Sequence, residues 1–239
     1  MKLVKILQTQ GIASRKGGIA LIRAGEVAVA GEVRTDPEAE FDPQGMGYSV
    51  AGVEHRYRER VYLALNKPVD YECSRAPRHH PSVFALLPPE LIARGVQPVG
   101  RLDQDTTGLL LLSDDGQFIH RLISPRHKVP KVYLADCAEE ADDAQLAALV
   151  AGVTLNDEPG LVAAVAACRL GEKRLELVLT EGKYHQVRRM VAAVGNHVVA
   201  LHRAAIGGLE LGGLAPGQWR WLDAADLALL EQEGGYGRA

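Results

Sequence analysis

The 239 residues are 47% hydrophobic and 24% charged with a formal net charge of -3, enough apolar content for one large core, or for a medium core with a small appendage. No stretch has the uninterrupted apolar length of a membrane span, and Met1-Lys2-Leu3-Val4-Lys5 has no long apolar run behind it to act as a signal peptide, so a soluble cytoplasmic protein is expected. Cys73, Cys137 and Cys168 are too widely spaced for a zinc knuckle or a redox pair, and their odd number argues against a disulfide framework.

The first 50 or so residues read as a separate unit. A helical start, Leu3 to Gln10, leads to Gly11-Ile12-Ala13-Ser14-Arg15, where Ser14 is the expected N-cap of a second helix that runs to about Ala24 and stops at Gly25. Val27-Ala28-Val29 and Gly31-Glu32-Val33 read as short strands around a tight turn. Pro37, Pro43, Gly45 and Gly47 then loosen the pattern, and Glu54 to Arg60 reads as a charged connector without apolar period. This places a domain boundary near residue 57.

A larger unit follows. Val61-Tyr-Leu-Ala-Leu65 is an expected strand stopped by Asn66-Lys67-Pro68. Gly108 to Ser113 carries four consecutive leucines, the pattern of a strand buried on both faces, and Asp114-Asp115-Gly116 turns the chain into a short helix, Gln117 to Ser124. In Lys131 to Cys137 the alternation puts Val132 and Leu134 toward the core, and Lys131 and Tyr133 on the other face. Leu175, Leu177 and Leu179 repeat the two-residue period. Val187, Met190, Val191 and Val194 then follow the helical i, i+3, i+4, i+7 pattern from about His185 to Gly195, with Arg188 and Arg189 off the apolar stripe. Val198 to Leu201 and Gly208 to Leu211 are further strands, and Ala224 to Glu233 a last helix. The irregular order of strands and helices favours an α+β fold with a mixed sheet over a doubly wound one.

The small net charge hides segregation. Residues 1–25, 116–135 and 182–209 hold 13 of the 27 Lys and Arg and none of the 30 Asp and Glu, whereas the span from Asp136 to Glu158 holds seven acids and no base. If the three basic windows meet in space the surface is bipolar and suits a polyanion; otherwise they are three solvated faces. No HExxH, CxxC, GxxxxGK[ST] or strand-borne GxGxxG occurs, so neither a metal nor a nucleotide cofactor is implied. What stands out is Asp103, a carboxylate in a polar turn just ahead of the buried strand. An aspartate in a turn is ordinarily a backbone cap, a role that suits Asp105 ahead of Thr106-Thr107-Gly108 better than Asp103. A lone acid, a tyrosine beside a base on one strand, and acid-free basic segments together suit chemistry on a nucleic acid, with bases holding phosphates and an aromatic stacking on an extruded ring.

Three segments carry a specific likeness: Gly100-Arg-Leu-Asp-Gln-Asp-Thr-Thr-Gly-Leu-Leu-Leu-Leu-Ser-Asp-Asp-Gly116, Lys131-Val-Tyr133, and Glu181-Gly-Lys-Tyr-His-Gln-Val-Arg-Arg-Met190. In order and spacing the chain from Val61 to Leu222 resembles the RsuA-type bacterial ribosomal RNA pseudouridine synthases, and residues 1–45 resemble an S4-type RNA-binding module. The resemblance implies an α+β fold in which a mixed, largely antiparallel sheet is flanked by helices, with an S4-like domain and connector at 1–57 and the catalytic domain at 58–239. It implies that Asp103 is the catalytic residue, that Tyr133 stacks on the uracil and takes part in removing the C5 proton, and that Arg188 pairs with Asp103. Arg101, Lys131 and Leu201 would line the uridine pocket, and the RNA-contacting bases would be Arg15, Lys16, Arg23, Arg126, Lys128, Lys183 and Arg189. The reaction is an isomerisation and implies no cofactor and no metal. The expected partner of a monomeric enzyme is ribosomal RNA, in outline 16S rRNA or a small-subunit assembly intermediate; 23S rRNA, or a non-catalytic S4-type ribosome-binding factor, are the alternatives. Two local departures are Val4, where S4 modules usually carry an acid, and Gly17-Gly18, which weakens its helix by about 1 kcal/mol per glycine.

Overall fold

A computed structural model describes residues 1–232. The chain divides into two units, Met1–Val61 with Leu87–Gln97, and Tyr62–Leu86 with the remainder from Pro98. A single cut near residue 57 does not describe this division, because Leu87–Gln97 belongs with the first unit. Within that unit the Arg94 guanidinium donates to the carbonyls of Arg58 (2.8 Å) and Glu59 (3.0 Å) and to Gln10 Oε1 (3.2 Å).

In the first unit α1 (Leu3–Thr9) and α2 (Arg15–Arg23) precede two hairpins, β1 (Val27–Val29) with β2 (Glu32–Val33) and β3 (Gly47–Val50) with β4 (Val53–Arg56), in a sheet of order β2-β1-β3-β4. A further helix, α3, spans Pro89–Ala93. Ser14 caps α2 as its sequence predicts, its hydroxyl accepting from the Gly17 N–H at 3.2 Å. The charged "connector" begins inside β4: Glu54–Arg56 is edge strand in which only His55 is half-buried, a pattern with no apolar period. Val4 is buried with Leu3, Ile6, Leu7 and Ile22, and a Cβ added at Gly18 would lie 3.5 Å from its side chain, in ordinary van der Waals contact, so packing against α1 does not require the glycine that weakens α2.

The second unit is built on one sheet. Its strands are β5 (Tyr62–Lys67), β7 (Thr106–Ser113), β8 (Lys131–Cys137), β11 (Ala166–Gly171), β12 (Arg174–Leu179), β13 (Val198–Ile206), β14 (Leu209–Glu210) and β15 (Trp219–Trp221). The two-residue strands β6 (Gln97–Pro98), where the chain enters this unit, and β9 (Val153–Thr154) with β10 (Leu161–Val162) complete the count. The order is β11-β12-β8-β13-β7-β5-β15, antiparallel throughout except for the parallel β13/β7 pair, with β14 on β13. This is the expected α+β class. Leu109 to Leu112 are fully buried, as an unbroken apolar run requires.

Among the described residues, four α-helices accompany the sheet: α4 (Gly116–Ile123), α5 (Asp143–Ala151), α6 (Gln186–Ala193) and α7 (Ala224–Leu229). Asp115 caps α4 by accepting from Gln117 and Phe118, and the Tyr62 hydroxyl donates to its second oxygen at 2.8 Å. Asp142 and Gln145 form a reciprocal capping box at the start of α5, a helix the apolar pattern did not reveal. Glu233, the expected end of the last helix, lies outside the described residues. One facing assignment is corrected. On β8 it is Tyr133, Ala135 and Cys137 that are buried while Leu134 is only partly so, and Val132 is buried as well, because the strand lies between two sheet neighbours and is covered on both faces.

Candidate active site

The segment Gly100–Thr106 is shaped by main-chain bonds from three directions. Val99 N–H donates to Leu111 C=O (2.8 Å), Asp70 N–H to Gln104 C=O (2.9 Å), and Thr106 N–H to Asp103 C=O (3.1 Å). Lys67, at the end of β5, is fully buried, and its ammonium donates to the carbonyls of Pro68, Gln104 and Thr106, each at 2.9 Å. Burial lowers its pKa, against which Cys73, Asp105, Asp103 and Asp70 act. A buried cation thus grips the loop from beneath, on either side of Asp105.

Gly108 makes the central parallel pair possible. Its φ is +103°, and a Cβ there would sit 2.3 Å from the Arg203 carbonyl oxygen, so only glycine lets β13 pair here in the register Leu201–Thr106 and Arg203–Gly108. The Arg203 side chain is buried and donates from Nε to Leu109 C=O at 2.8 Å. Beside it the Thr107 hydroxyl lies 2.9 Å from His202 Nδ1. This pairing fixes Leu201, on β13, next to the turn that carries Asp103.

A cleft of about 560 Å³ opens over that turn, a size suited to a nucleoside-scale ligand. Tyr133, Leu179, Val187 and Leu201, all buried, form an apolar floor; Arg101, Asp103, Gln104 and Asp105 form one wall and Glu181 to His185 another. Glu72, Cys73 and Ser74 close a third side. Glu72 organises its own loop: its carboxylate accepts from the main-chain N–H groups of His79, His80 and Arg78, which pull its pKa down to about 2. Burial raises the pKa of the Cys73 thiol.

The carboxylates of the turn have different partners from those expected. Asp103 Oδ1 lies 3.4 Å from His185 Nε2, and both side chains are more than a third exposed, at 36% and 39%. Arg188, expected on Asp103, instead meets Asp105 Oδ2 at 2.9 Å and donates to Val198 C=O at 2.9 Å, while its Nε is buried without a partner. The reason is the entry to α6. His185 takes the left-handed conformation at φ 47°, which brings its ring to Asp103 and leaves Arg188, one turn further on, opposite Asp105. The same pair takes Asp105 out of the expected cap role; the turn is closed by main chain.

Of the remaining predicted residues, Arg101, Tyr133, Leu201 and Lys183 line the cleft. Lys131 does not. Its ammonium turns back to Val129 C=O at 2.9 Å, and burial, with Arg203 adding to it, pushes its pKa down to about 8. Arg126 and Lys128 are exposed in the loop after α4, and Arg15, Lys16 and Arg23 are exposed on α2 of the first unit. Part of the acid-rich span is paired with bases. Lys183 and Arg189 meet Glu158 at 2.6 and 3.8 Å, Arg174 meets Asp136 at 2.6 Å, and Arg169 meets Asp143 at 2.6 Å. Sequence reasoning missed Lys67, Glu72, His185 and Gln186 as parts of the site. Lys67 and His185 stood inside quoted motifs without a role. Gln186 stands in the same motif as His185, and nothing about a polar residue at a helix start signals burial; it is nevertheless buried and ties Lys183 N–H (2.8 Å) to Glu181 (3.1 Å).

Chemically, the cleft offers an apolar floor with an aromatic ring, the Asp103 carboxylate 3.4 Å from a histidine ring nitrogen, three further carboxylates, of Glu72, Asp105 and Glu181, each held by its own partners, and an arginine in its wall. Comparison with known proteins agrees. Residues 61–193 match the RNA pseudouridylate synthase family and residues 1–44 the S4 domain. The chain is 39% identical over 230 residues to "Ribosomal small subunit pseudouridine synthase A" of Escherichia coli, covering 95% of this chain and 99% of that protein. It is 38% identical over 236 residues to an uncharacterized RNA pseudouridine synthase of Bacillus subtilis, covering 97% and 99%. Among solved structures, a pseudouridylate synthase crystal structure superposes with a TM-score of 0.68 at 32% identity, covering 96% of this chain and 99% of that one.

Proposed function

Because the chain belongs to the RNA pseudouridylate synthase family, its reaction is the isomerisation of uridine to pseudouridine in RNA, and we propose that the uridine lies in the 16S RNA of the small ribosomal subunit. The observation that carries this target is the full-length likeness to the E. coli enzyme whose name specifies the small subunit. The S4 domain is assigned a second RNA-binding surface, in which the exposed Arg15, Lys16 and Arg23 would meet phosphates.

Asp103 is the residue we assign to the chemistry. The uridine leaves its stack and lies on the floor, its ring against Tyr133 and its edge toward Asp103. The carboxylate drives the break between C1′ and N1; the freed ring turns, C5 bonds to C1′, and the C5 proton leaves. Every atom of the substrate is kept except for one proton exchanged with solvent, so the step needs no oxidant, reductant or second substrate. Tyr133 gives the ring its stacking surface, and its hydroxyl relays the C5 proton to solvent, giving up its own proton as it takes this one. Leu201 and Leu179 exclude water beneath the ring. Arg101 on the wall serves a flanking phosphate, and His185 steadies Asp103. Arg188 acts from behind Asp105, holding the turn to α6 and Val198.

The target is tested by incubating the protein separately with small- and large-subunit ribosomal RNA carrying 5-tritiated uridine. Tritium release from the small-subunit RNA is expected. Release from the large-subunit RNA alone would overturn the assignment.

A further inference from the structure

The rim of the cleft carries an aromatic side chain that the reaction does not use. Tyr184 is 73% exposed, the most open of the large hydrophobic side chains among the described residues. Its inner face is covered: the ring stacks on His185 with centroids 3.9 Å apart and planes 18° from parallel. His185 in turn lies 3.4 Å from Asp103. Two rings therefore form a slab, one end against the Asp103 carboxylate and the other open to solvent.

The slab is built before any ligand arrives. Lys183 N–H donates to Gln186 Oε1, Gln186 Nε2 donates to Glu181, Arg189 Nη1 donates to Tyr184 C=O at 3.2 Å, and Arg189 N–H donates to His185 C=O at 2.9 Å. With its main chain held and its inner face stacked on His185, the ring loses little freedom on binding. The neighbouring charges say what it binds. Lys183 and Arg189 are both engaged by Glu158, so this part of the rim presents a π face rather than a free cation and suits a base better than a phosphate. When a uridine leaves its stack, the base beside it loses a covered face.

We propose that the outer face of Tyr184 is a stacking site for an unpaired nucleobase adjacent to the target uridine, so that the Tyr184–His185 pair continues the RNA stack up to Asp103. The inference rests on the RNA-modifying reading of the cleft. Such a site accepts any base, because every base has a π face.

The test uses the full chain with ribosomal RNA carrying 5-tritiated uridine, and it measures affinity by filter binding separately from tritium release. Tyr184→Ala weakens RNA binding and raises KM roughly 5- to 100-fold, with kcat changing less than KM, and Tyr184→Phe restores both. Tyr184→Trp adds an indole whose emission is quenched by RNA beyond any quench of Trp219 and Trp221 in the parent. Unchanged binding by Tyr184→Ala, a Phe variant as weak as the Ala one, a loss confined to kcat, or no added quench in Tyr184→Trp would each overturn the stacking site. If the wild-type protein binds ribosomal RNA but releases no tritium from it, the enzymatic reading fails instead, and the binding and quench arms still decide the role of Tyr184.

Discussion

Replacing Lys67 by methionine keeps the length and apolar stem of the side chain while removing one charge and three hydrogen bonds. Bonds from a charged donor contribute about 1.5–3 kcal/mol each. Against them stands the cost of keeping an ammonium fully buried, whose sign is visible in the lowered pKa of Lys67. Leaving a buried neutral acceptor without its donor costs about 1–3 kcal/mol, and less for the Gln104 carbonyl, which keeps the Asp70 N–H. Here the partners are the carbonyls of Pro68, Gln104 and Thr106, so the loop that carries Asp103 is the first to loosen. A misplacement of about 1 Å is enough to lower a rate roughly 100-fold. Urea unfolding should show the loss of stability, and single-turnover tritium release, at a temperature where the variant is folded, should show the loss of rate. If Lys67→Met loses less than about 1 kcal/mol and reacts at the wild-type rate, the buried lysine does not set the turn.

Other expectations follow from the same geometry. Asp105→Asn weakens a half-buried pair, in which the Arg188 side chain is 20% and that of Asp105 51% exposed, and should lower the unfolding free energy by about 1 kcal/mol, with most of the tritium release kept. Gly108→Ala places a Cβ 2.3 Å from the Arg203 carbonyl at a positive φ, so the central parallel pair should open, and the variant should unfold at markedly lower urea concentration than wild type. Lys131 has a folded pKa of about 8, below the ordinary lysine value near 10.4. Between those values the unfolded chain holds the extra proton, so wild-type stability should rise with pH relative to Lys131→Met, as unfolding titrations can show. Arg23→Ala should weaken RNA binding and reduce its salt dependence by about one unit of slope, without changing single-turnover chemistry at saturating protein.

Much of the site could be read from the chain because its parts are local. The leucine run after Asp103 can only be a buried strand, and the helical period from Val187 to Val194 forces Arg188 and Arg189 off the apolar stripe. The likeness of three short segments then marked Asp103, Tyr133 and Arg188 for one place. What stayed hidden depends on tertiary approach. The choice between Asp103 and Asp105 as partner of Arg188 turns on the left-handed backbone of His185, which no period or charge pattern signals. Lys67 is an ordinary lysine in sequence and becomes a clamp only because three carbonyls converge on it. The edge strand β4 gives no apolar period because His55 alone in it is half-buried. Conversely, the charge segregation promised more than the structure delivers, since Glu158, Asp136 and Asp143 reach back to neutralise nearby bases.

The central claim is that the Asp103 carboxylate performs the isomerisation in this cleft. It is tested most directly by comparing wild type with Asp103→Asn on ribosomal RNA carrying 5-tritiated uridine, while RNA affinity and unfolding are followed in parallel. Asp103→Asn should bind the RNA and unfold as wild type does, yet release no tritium. Release by the Asn variant at the wild-type rate would contradict the account.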